Sequence, residues 1–251
     1  MDPTRVFSTK AALYARYRWD YAPLAIQTIV EATGISGVSC VADIGAGTGI
    51  LAARLAGRVG RLYAVEPNAA MRQMATQALA SYASCRVVDG RAEATGLPNG
   101  SVDLITAAQS IHWFEPGHTM HEFARILRPG GWLAILRNYG TDRELGAAIG
   151  RIFDGHEDAD TEALMVGRGT PASSYYGGAP FLVETFPFTT RRDWDGFIGS
   201  LSTTSSAPDE GSSSYARFAR AARCVFDQFA HDGILESGAA TELYLGQPAL
   251  R

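Results

Sequence analysis

The feature that most constrains this chain is a stretch of ten residues, V-A-D-I-G-A-G-T-G-I, which runs from Val41 to Ile50. An apolar run with β-branched residues enters a turn with three glycines, and a helical pattern of apolar residues follows from Thr48. A strand, a glycine turn and a helix in this order open a nucleotide-binding βαβ unit. Glycine lets the backbone approach a ligand, and a helix N-terminus offers free N–H groups to an anionic group. The stretch therefore predicts a parallel α/β sheet with a ligand site at this turn.

The spacing of the glycines indicates which ligand binds. Gly45, Gly47 and Gly49 form the pattern G-x-G-x-G, whereas a dinucleotide fingerprint would have its third glycine at the position of Ile50. Asp43 lies two residues before the first glycine, where a carboxylate would repel a pyrophosphate but tolerate an ammonium group. S-adenosylmethionine (SAM) carries an ammonium, a carboxylate, a ribose and a sulfonium, and has no phosphate. The pattern favours SAM over NAD.

These residues resemble motif I of the class I SAM-dependent methyltransferases. Later motifs resemble the small-molecule branch called methyltransferase type 11, which includes ubiquinone/menaquinone-biosynthesis-like enzymes, and the resemblance covers residues 38–138. It implies a Rossmann-like three-layer α/β sandwich, whose seven-stranded, mostly parallel sheet has an antiparallel last strand, with N-terminal helices and a small helical or loop insertion. We expect one domain over 1–251, with a helical cap at 1–36, a SAM-binding core at 38–138 and an acceptor-side elaboration at 139–251.

An acid follows the predicted second strand, residues 61–65. Glu66 lies about 20 residues after the glycine turn, where such an acid binds ribose hydroxyls, although it could instead begin a turn or cap the next helix. The loop D-G-R-A-E-A-T-G-L-P at 89–98 resembles the adenine-side loop of the family, with Arg91 where many members carry Asp; Glu93 could equally be a solvated loop acid. The predicted cofactor contacts are Tyr17, Arg18, Asp43, Gly45, Ala46, Gly47, Glu66, Pro67, Met71, Ala92, Glu93 and Gln109.

The N-terminal stretch Y-R-W-D-Y-A-P resembles a family segment that closes over the cofactor. There Arg18 would pair with the cofactor carboxylate by charge-assisted hydrogen bonds, with Tyr17 beside it. The alternative is a helix that only covers the edge of the sheet.

The fourth strand, predicted at 101–108, is almost entirely apolar and ends at a loop rich in Gln, His and Trp. Ligands bind at the carboxyl ends of strands in open α/β sheets, so His112 is the predicted catalytic base. Alternatively, His112 packs with Trp113 to shape the pocket wall, and a carboxylate acceptor would need no base. We expect Trp113, Tyr14 and Tyr175 to contact an apolar or aromatic small-molecule acceptor.

Composition excludes several other classes of protein. The formal net charge of −4 disfavours nucleic acid as a partner, and no apolar run is long enough to span a membrane. The N-terminus lacks the pattern of a signal peptide. The three scattered cysteines indicate a reduced, cytoplasmic protein with no metal spacing, and H-E-D-A-D at 156–160 is interpreted as an acidic loop rather than a metal site.

Three functions remain open on the sequence. The first is a SAM-dependent methyltransferase for a small molecule in secondary or cofactor metabolism, acting as a monomer or homodimer. The second is a SAM-binding scaffold or cyclase-like protein that transfers no methyl group. The third is an NAD-dependent oxidoreductase, which Ile50 and Asp43 disfavour.

Overall fold

The computed structural model describes residues 10–153 and 169–249 of the 251-residue chain. The first nine residues of the predicted cap and the acidic stretch at 156–160 lie outside these ranges. In chain order, the helices and strands are α1 (Ala11–Tyr17), α2 (Pro23–Thr33), β1 (Cys40–Ile44), α3 (Ile50–Leu55), β2 (Arg61–Val65), α4 (Ala69–Ala78), β3 (Cys85–Val88), β4 (Val102–Ala108), α5 (Pro116–Ile126), β5 (Leu127–Gly140), α6 (Arg143–Phe153), β6 (Phe181–Arg192), α7 (Trp194–Ser202), α8 (Tyr215–Phe229) and β7 (Leu235–Gly246).

The seven strands form one sheet in the order β3-β2-β1-β4-β5-β7-β6. Neighbouring strands from β3 to β5 pair in parallel, and β7 pairs antiparallel with both β5 and β6. The predicted fold class is confirmed, including the antiparallel last strand. The order reverses beside β1, which places the end of β1 at a topological switch point where ligands bind.

Side chains of β1 alternate between two hydrophobic clusters, one on each face of the sheet. Val41 packs in the cluster with α2 and α3, whereas Ala42 and Ile44 pack in the cluster with α5. A third cluster joins α6, α7 and α8. This arrangement is the predicted three-layer sandwich with a helical elaboration after β5.

Local signals explain where several helices begin and end. Pro23 opens α2, and Gly34, with φ of +65°, ends it in the left-handed conformation that glycine adopts without strain. The side chain of Asn68 caps α4 by accepting a hydrogen bond of 3.0 Å from the Met71 N–H. The Asn68 cap starts α4 directly behind Glu66, at the carboxyl end of β2.

The turn R-P-G-G at 128–131 loops out within β5 instead of separating it from α5. Val102 pairs with Leu127 and Leu104 pairs with Trp132, so β5 advances by five residues where β4 advances by two. The loop includes Gly130 at φ of +77° and Pro129, which has no N–H to donate to a ladder. The turn therefore lies inside the strand, which begins before it at Leu127.

Candidate active site at the carboxyl ends of the strands

The glycine turn after β1 is held against β2 and β4. The N–H groups of Gly45 and Ala46 donate hydrogen bonds of 2.9 and 3.1 Å to the carbonyl of Val65. Gly45 has φ of +68°, and a Cβ atom there would lie 2.6 Å from Cβ of Ser110. Only glycine fits at this position, because any side chain would overlap the loop that follows β4.

Glu66 directly follows β2 and holds the next part of the turn. Its carboxylate accepts a hydrogen bond of 2.9 Å from the Gly47 N–H and another of 2.8 Å from the Asn68 N–H. Glu66 is 8% exposed, and burial raises the pKa of its carboxyl against the effect of these two donors. A carboxylate has about four acceptor positions, so two remain for a ligand on the cavity side.

Asp43 is the second buried carboxylate of the cavity. Its side chain is 1% exposed and accepts a hydrogen bond of 2.8 Å from the Thr106 hydroxyl, with a further hydrogen bond from the Ala52 backbone. Burial is the largest effect and raises the pKa of Asp43 to about 7, with the nearby Glu66 charge acting in the same direction. The carboxyl thus titrates near neutral pH, and an opposite charge in the cavity would favour its ionised form.

The loop after β3 forms the wall opposite the glycine turn. Ala92 is buried there, and Glu93 accepts a hydrogen bond of 2.8 Å from the Glu115 N–H, which ties the loop to the start of α5. Arg91 lies beside Glu93, with 3.7 Å between its Nε and the Glu93 carboxylate. Glu93 therefore holds the loop in place as well as lining the cavity.

The residues that follow β4 form the next wall. Gln109 adopts a left-handed backbone with φ of +55°, and its side chain donates a hydrogen bond of 3.0 Å to the carbonyl of Asn138. Ser110 donates a hydrogen bond of 3.0 Å to the carbonyl of Ile44, at the end of β1. A non-glycine residue in the left-handed region is uncommon and marks a constrained position. The β4 loop is fixed on both neighbouring strands, β1 and β5.

One cavity joins these elements at the carboxyl edge of the sheet. Twelve predicted site residues line it: Tyr14, Asp43, Gly45, Ala46, Gly47, Glu66, Pro67, Met71, Ala92, Glu93, Gln109 and Trp113. Eight further lining residues were not among the predicted contacts: Tyr21, Ile50, Leu51, Asn68, Arg91, Ala108, Ser110 and Phe114. Proximity to the motifs could have indicated Asn68 and Ser110, because each lies one or two residues from a predicted contact.

Four predicted site residues do not line this cavity. His112 lies in a short 3₁₀ turn (Ile111–Trp113), and its ring packs 5.3 Å from that of Trp113, beside the wall. Tyr17 lies in a separate cleft that Lys10 and Ser202 also line. The Arg18 guanidinium lies 5.2 Å from the ring of Tyr14, which lines the cavity, and 3.4 Å from the Thr203 hydroxyl.

Tyr175 is the fourth predicted site residue that does not line the cavity. Its side chain is 0% exposed and belongs to the hydrophobic cluster between the sheet and α5, where burial raises the pKa of its phenol to about 12. Its contact with an acceptor therefore stays a prediction. The short 3₁₀ helix Ala172–Tyr176 directs the aromatic side chains at 175–176 into this hydrophobic cluster, on the α5 face of the sheet.

Within 10–153 and 169–249, no three His, Cys, Asp or Glu side chains are grouped so that they could hold a metal ion. No helix of this part of the chain has the length and apolar character needed to cross a membrane.

The fold and the cavity define a Rossmann-like α/β domain with its ligand site at a glycine turn. Residues 42–135 match the sequence model of a methyltransferase domain family, inside the predicted core of 38–138. The methyltransferase resemblance inferred from the sequence is confirmed over residues 42–135. The same match supports SAM as the cofactor and disfavours the oxidoreductase alternative.

Curated relatives are similar over part of their length. The uncharacterized methyltransferase Rv3342 of Mycobacterium tuberculosis is 36% identical over 165 residues, which cover 64% of this chain and 65% of the relative. The uncharacterized methyltransferase C25B8.09 of Schizosaccharomyces pombe is 32% identical over 135 residues, 53% of each chain. The chain thus spans just under two thirds of the mycobacterial relative and about half of the yeast relative.

Solved structures share the fold. A candidate type II methyltransferase from Anaeromyxobacter dehalogenans superposes with a TM-score of 0.65 at 23% identity, covering 92% of this chain and 98% of that one. The YcgJ protein from Bacillus subtilis has a TM-score of 0.55 at 18% identity, covering 89% and 97%. At these identities the likeness establishes the architecture alone.

Proposed function

We propose that this protein is a SAM-dependent methyltransferase that acts on a small-molecule acceptor through oxygen, nitrogen or carbon. The observation that carries the proposal is the cavity, in which the glycine turn, Asp43 and Glu66 meet at the carboxyl ends of β1 and β2. The methyltransferase match of residues 42–135 covers the same elements.

The cavity residues fit this cofactor by their chemistry. Gly47 has φ of +57°, and a Cβ atom there would meet nothing closer than a ring carbon of Tyr14 at 4.0 Å, so the backbone lies open to a ligand. Glu66 has acceptor positions left for the two ribose hydroxyls. Asp43 would face the ammonium group, and the buried side chains of Met71 and Ala92 offer an apolar flank for the adenine.

When bound, the cofactor supplies an electrophilic methyl group on a sulfonium. The chain has to align the acceptor atom with that group and to exclude water. Trp113, Phe114, Tyr14 and Tyr21 line the cavity and suit an apolar or aromatic acceptor. His112 remains the proposed base for an acceptor that must lose a proton. Its ring packs against Trp113, which lines the cavity wall.

The remaining properties also stay proposals. The net charge of −4 disfavours nucleic acid as a partner, and a monomer or homodimer in the cytoplasm is expected. A SAM-binding scaffold that transfers no methyl group is the main alternative, because the same cavity would serve binding alone.

The decisive experiment is calorimetric titration of the purified protein with S-adenosylhomocysteine (SAH), with NAD as the control. We expect SAH to bind and NAD not to bind. Glu66→Gln should weaken SAH binding by about ten-fold or more, since hydrogen bonds to a charged group contribute about 1.5–3 kcal/mol. Binding of NAD alone would refute the assignment.

A positive titration is followed by a screen of acceptors with a labelled methyl donor. Transfer of the label to a small molecule would support the enzyme, and the product would identify the atom that is methylated. If the protein binds SAH but transfers no label, whether or not an acceptor is added, the scaffold alternative is favoured.

A further inference from the structure

A cross-strand pair, half-buried at Asn138 and fully buried at Thr241, joins β5 and β7. Asn138 near the end of β5 is opposite Thr241 of β7 in the antiparallel register. The Thr241 hydroxyl donates a hydrogen bond of 2.6 Å to Oδ1 of Asn138 and accepts one of 2.9 Å from the Ala22 N–H. Thr241 is fully buried and Asn138 is half-buried, so water is excluded from the bond between Thr241 and the Ala22 N–H.

The same asparagine holds two walls of the cavity at once. Its Nδ2 donates a hydrogen bond of 2.9 Å to the carbonyl of Asp20, and its backbone carbonyl accepts the bond of 3.0 Å from the Gln109 side chain. Tyr21, between the two anchored residues Asp20 and Ala22, lines the cavity, as does Gln109. Asn138 itself is not among the residues that line it.

The carboxylate of Asp20 connects the same segment to helix α3. Its carboxylate accepts a hydrogen bond of 2.8 Å from the Tyr21 N–H and pairs with Arg54 of α3, the helix that follows the glycine turn. The segment 20–22 is therefore fastened to α3, β5 and β7. The position of Tyr21 relative to Gln109 depends on bonds between residues that are distant in the chain.

We propose that Asn138, oriented by Thr241, is a positioning residue that sets the distance between the N-terminal cap and the β4 wall of the cavity. The asparagine carboxamide suits this role because it offers a donor and an acceptor on one rigid plane. Each of its bonds goes to a different element, and Gln109 is held in its left-handed backbone conformation beside it. The ligand-binding part of the test rests on the proposed function, whereas the part that measures cap mobility does not.

The test uses Thr241→Val, which keeps the shape and removes the hydroxyl, leaving both Asn138 Oδ1 and the Ala22 N–H without this partner. Thr241→Ser keeps the hydroxyl, so it should match the wild type in the two measurements described below. The matched control is Thr190→Val, because the Thr190 hydroxyl lies 3.0 Å from that of Ser237 in the same sheet, on the β6 side. Should Thr241→Val fail to fold, Asn138→Ala serves, since it leaves the bond between Thr241 and Ala22 in place.

Two measurements are made on each variant. Hydrogen exchange in the peptide spanning residues 11–21, which excludes the Ala22 amide itself, should be about ten-fold faster in Thr241→Val than in the wild type. SAH affinity by calorimetry should fall about ten-fold, as expected when the buried Ala22 N–H and the half-buried Asn138 carboxamide each lose a partner. Thr241→Ser and Thr190→Val should stay within about two-fold of the wild type in both measurements.

The outcomes separate the possible explanations. Exchange that is unchanged in Thr241→Val and in Asn138→Ala would overturn the inference. Faster exchange with wild-type SAH affinity would mean that the pair holds the cap without positioning the site, which also overturns it. If the wild type binds no SAH, the proposed function fails, and the exchange measurement alone decides whether the pair fixes the cap.

Discussion

Replacing Asp43 by Asn tests the electrostatics of the cavity directly. The carboxyl is 1% exposed, and burial raises its pKa from 3.8 to about 7. A raised folded pKa means that the folded state holds its proton more tightly than the unfolded state. The corresponding stability is fully present below pH 3.8 and is lost as the pH rises through 7.

The size of the effect follows from these two pKa values. Linkage gives a loss of about 1.5 kcal/mol by pH 5 and about 4 kcal/mol by pH 7.5, because one pKa unit corresponds to about 1.4 kcal/mol. The introduced carboxamide does not titrate, so the variant avoids this loss, although its NH₂ group replaces one acceptor and costs a fixed amount at every pH. The stability difference between variant and wild type should therefore shift in favour of Asp43→Asn by about 2.5 kcal/mol between pH 5 and pH 7.5.

Urea unfolding of the ligand-free protein at the two pH values measures this shift. Subtracting the wild type removes the contribution of Glu66, whose pKa is raised in the same direction. Glu184→Gln, which removes an exposed carboxylate from β6, is the control and should show a shift below about 0.5 kcal/mol. A shift near zero, or one of opposite sign, would show that Asp43 is already ionised at pH 5 and would refute the reasoning.

Three further predictions follow from the site. Gly45→Ala should destabilise the protein by at least about 2 kcal/mol more than Gly47→Ala in urea unfolding. Both glycines have positive φ, but only a Cβ atom at position 45 would overlap Ser110, at 2.6 Å. Equal losses of stability in the two variants would contradict this packing. SAH affinity of the wild type should rise about 15-fold from pH 5.5 to pH 7, because Asp43 ionises over this range while the ligand amino group stays protonated. In Asp43→Asn the affinity should change less than about two-fold between the same pH values. A parallel rise in both proteins would assign the effect to another group. His112→Ala should lower turnover about ten-fold or more on an identified acceptor while SAH affinity stays within about two-fold, and a fully active variant would assign His112 to packing.

Short-range patterns in the sequence were sufficient for much of the fold. The bounds predicted for β2 are those of the structure, because this strand is a short apolar run between clear turn signals. Strands β6 and β7 extend over Phe181–Arg192 and Leu235–Gly246. The end of β6 is polar, and residues 235–240 mix polar, glycine and apolar residues, so neither stretch has a clear strand pattern. They form strands because each completes the antiparallel ladder of the other.

The sequence by itself determined the glycine turn, the class of domain and most of the cavity, because Asp43, Gly45, Gly47 and Glu66 belong to a local strand–turn–helix unit whose geometry depends on neighbouring residues. Only the tertiary structure decided that Tyr175 is a core residue and that burial raises the pKa of Asp43, since burial depends on which elements pack together. It alone revealed Asn138 and Thr241, which lie 103 positions apart and meet only because β5 and β7 pair. Contacts of this kind carry no local pattern, because the register of the sheet creates them.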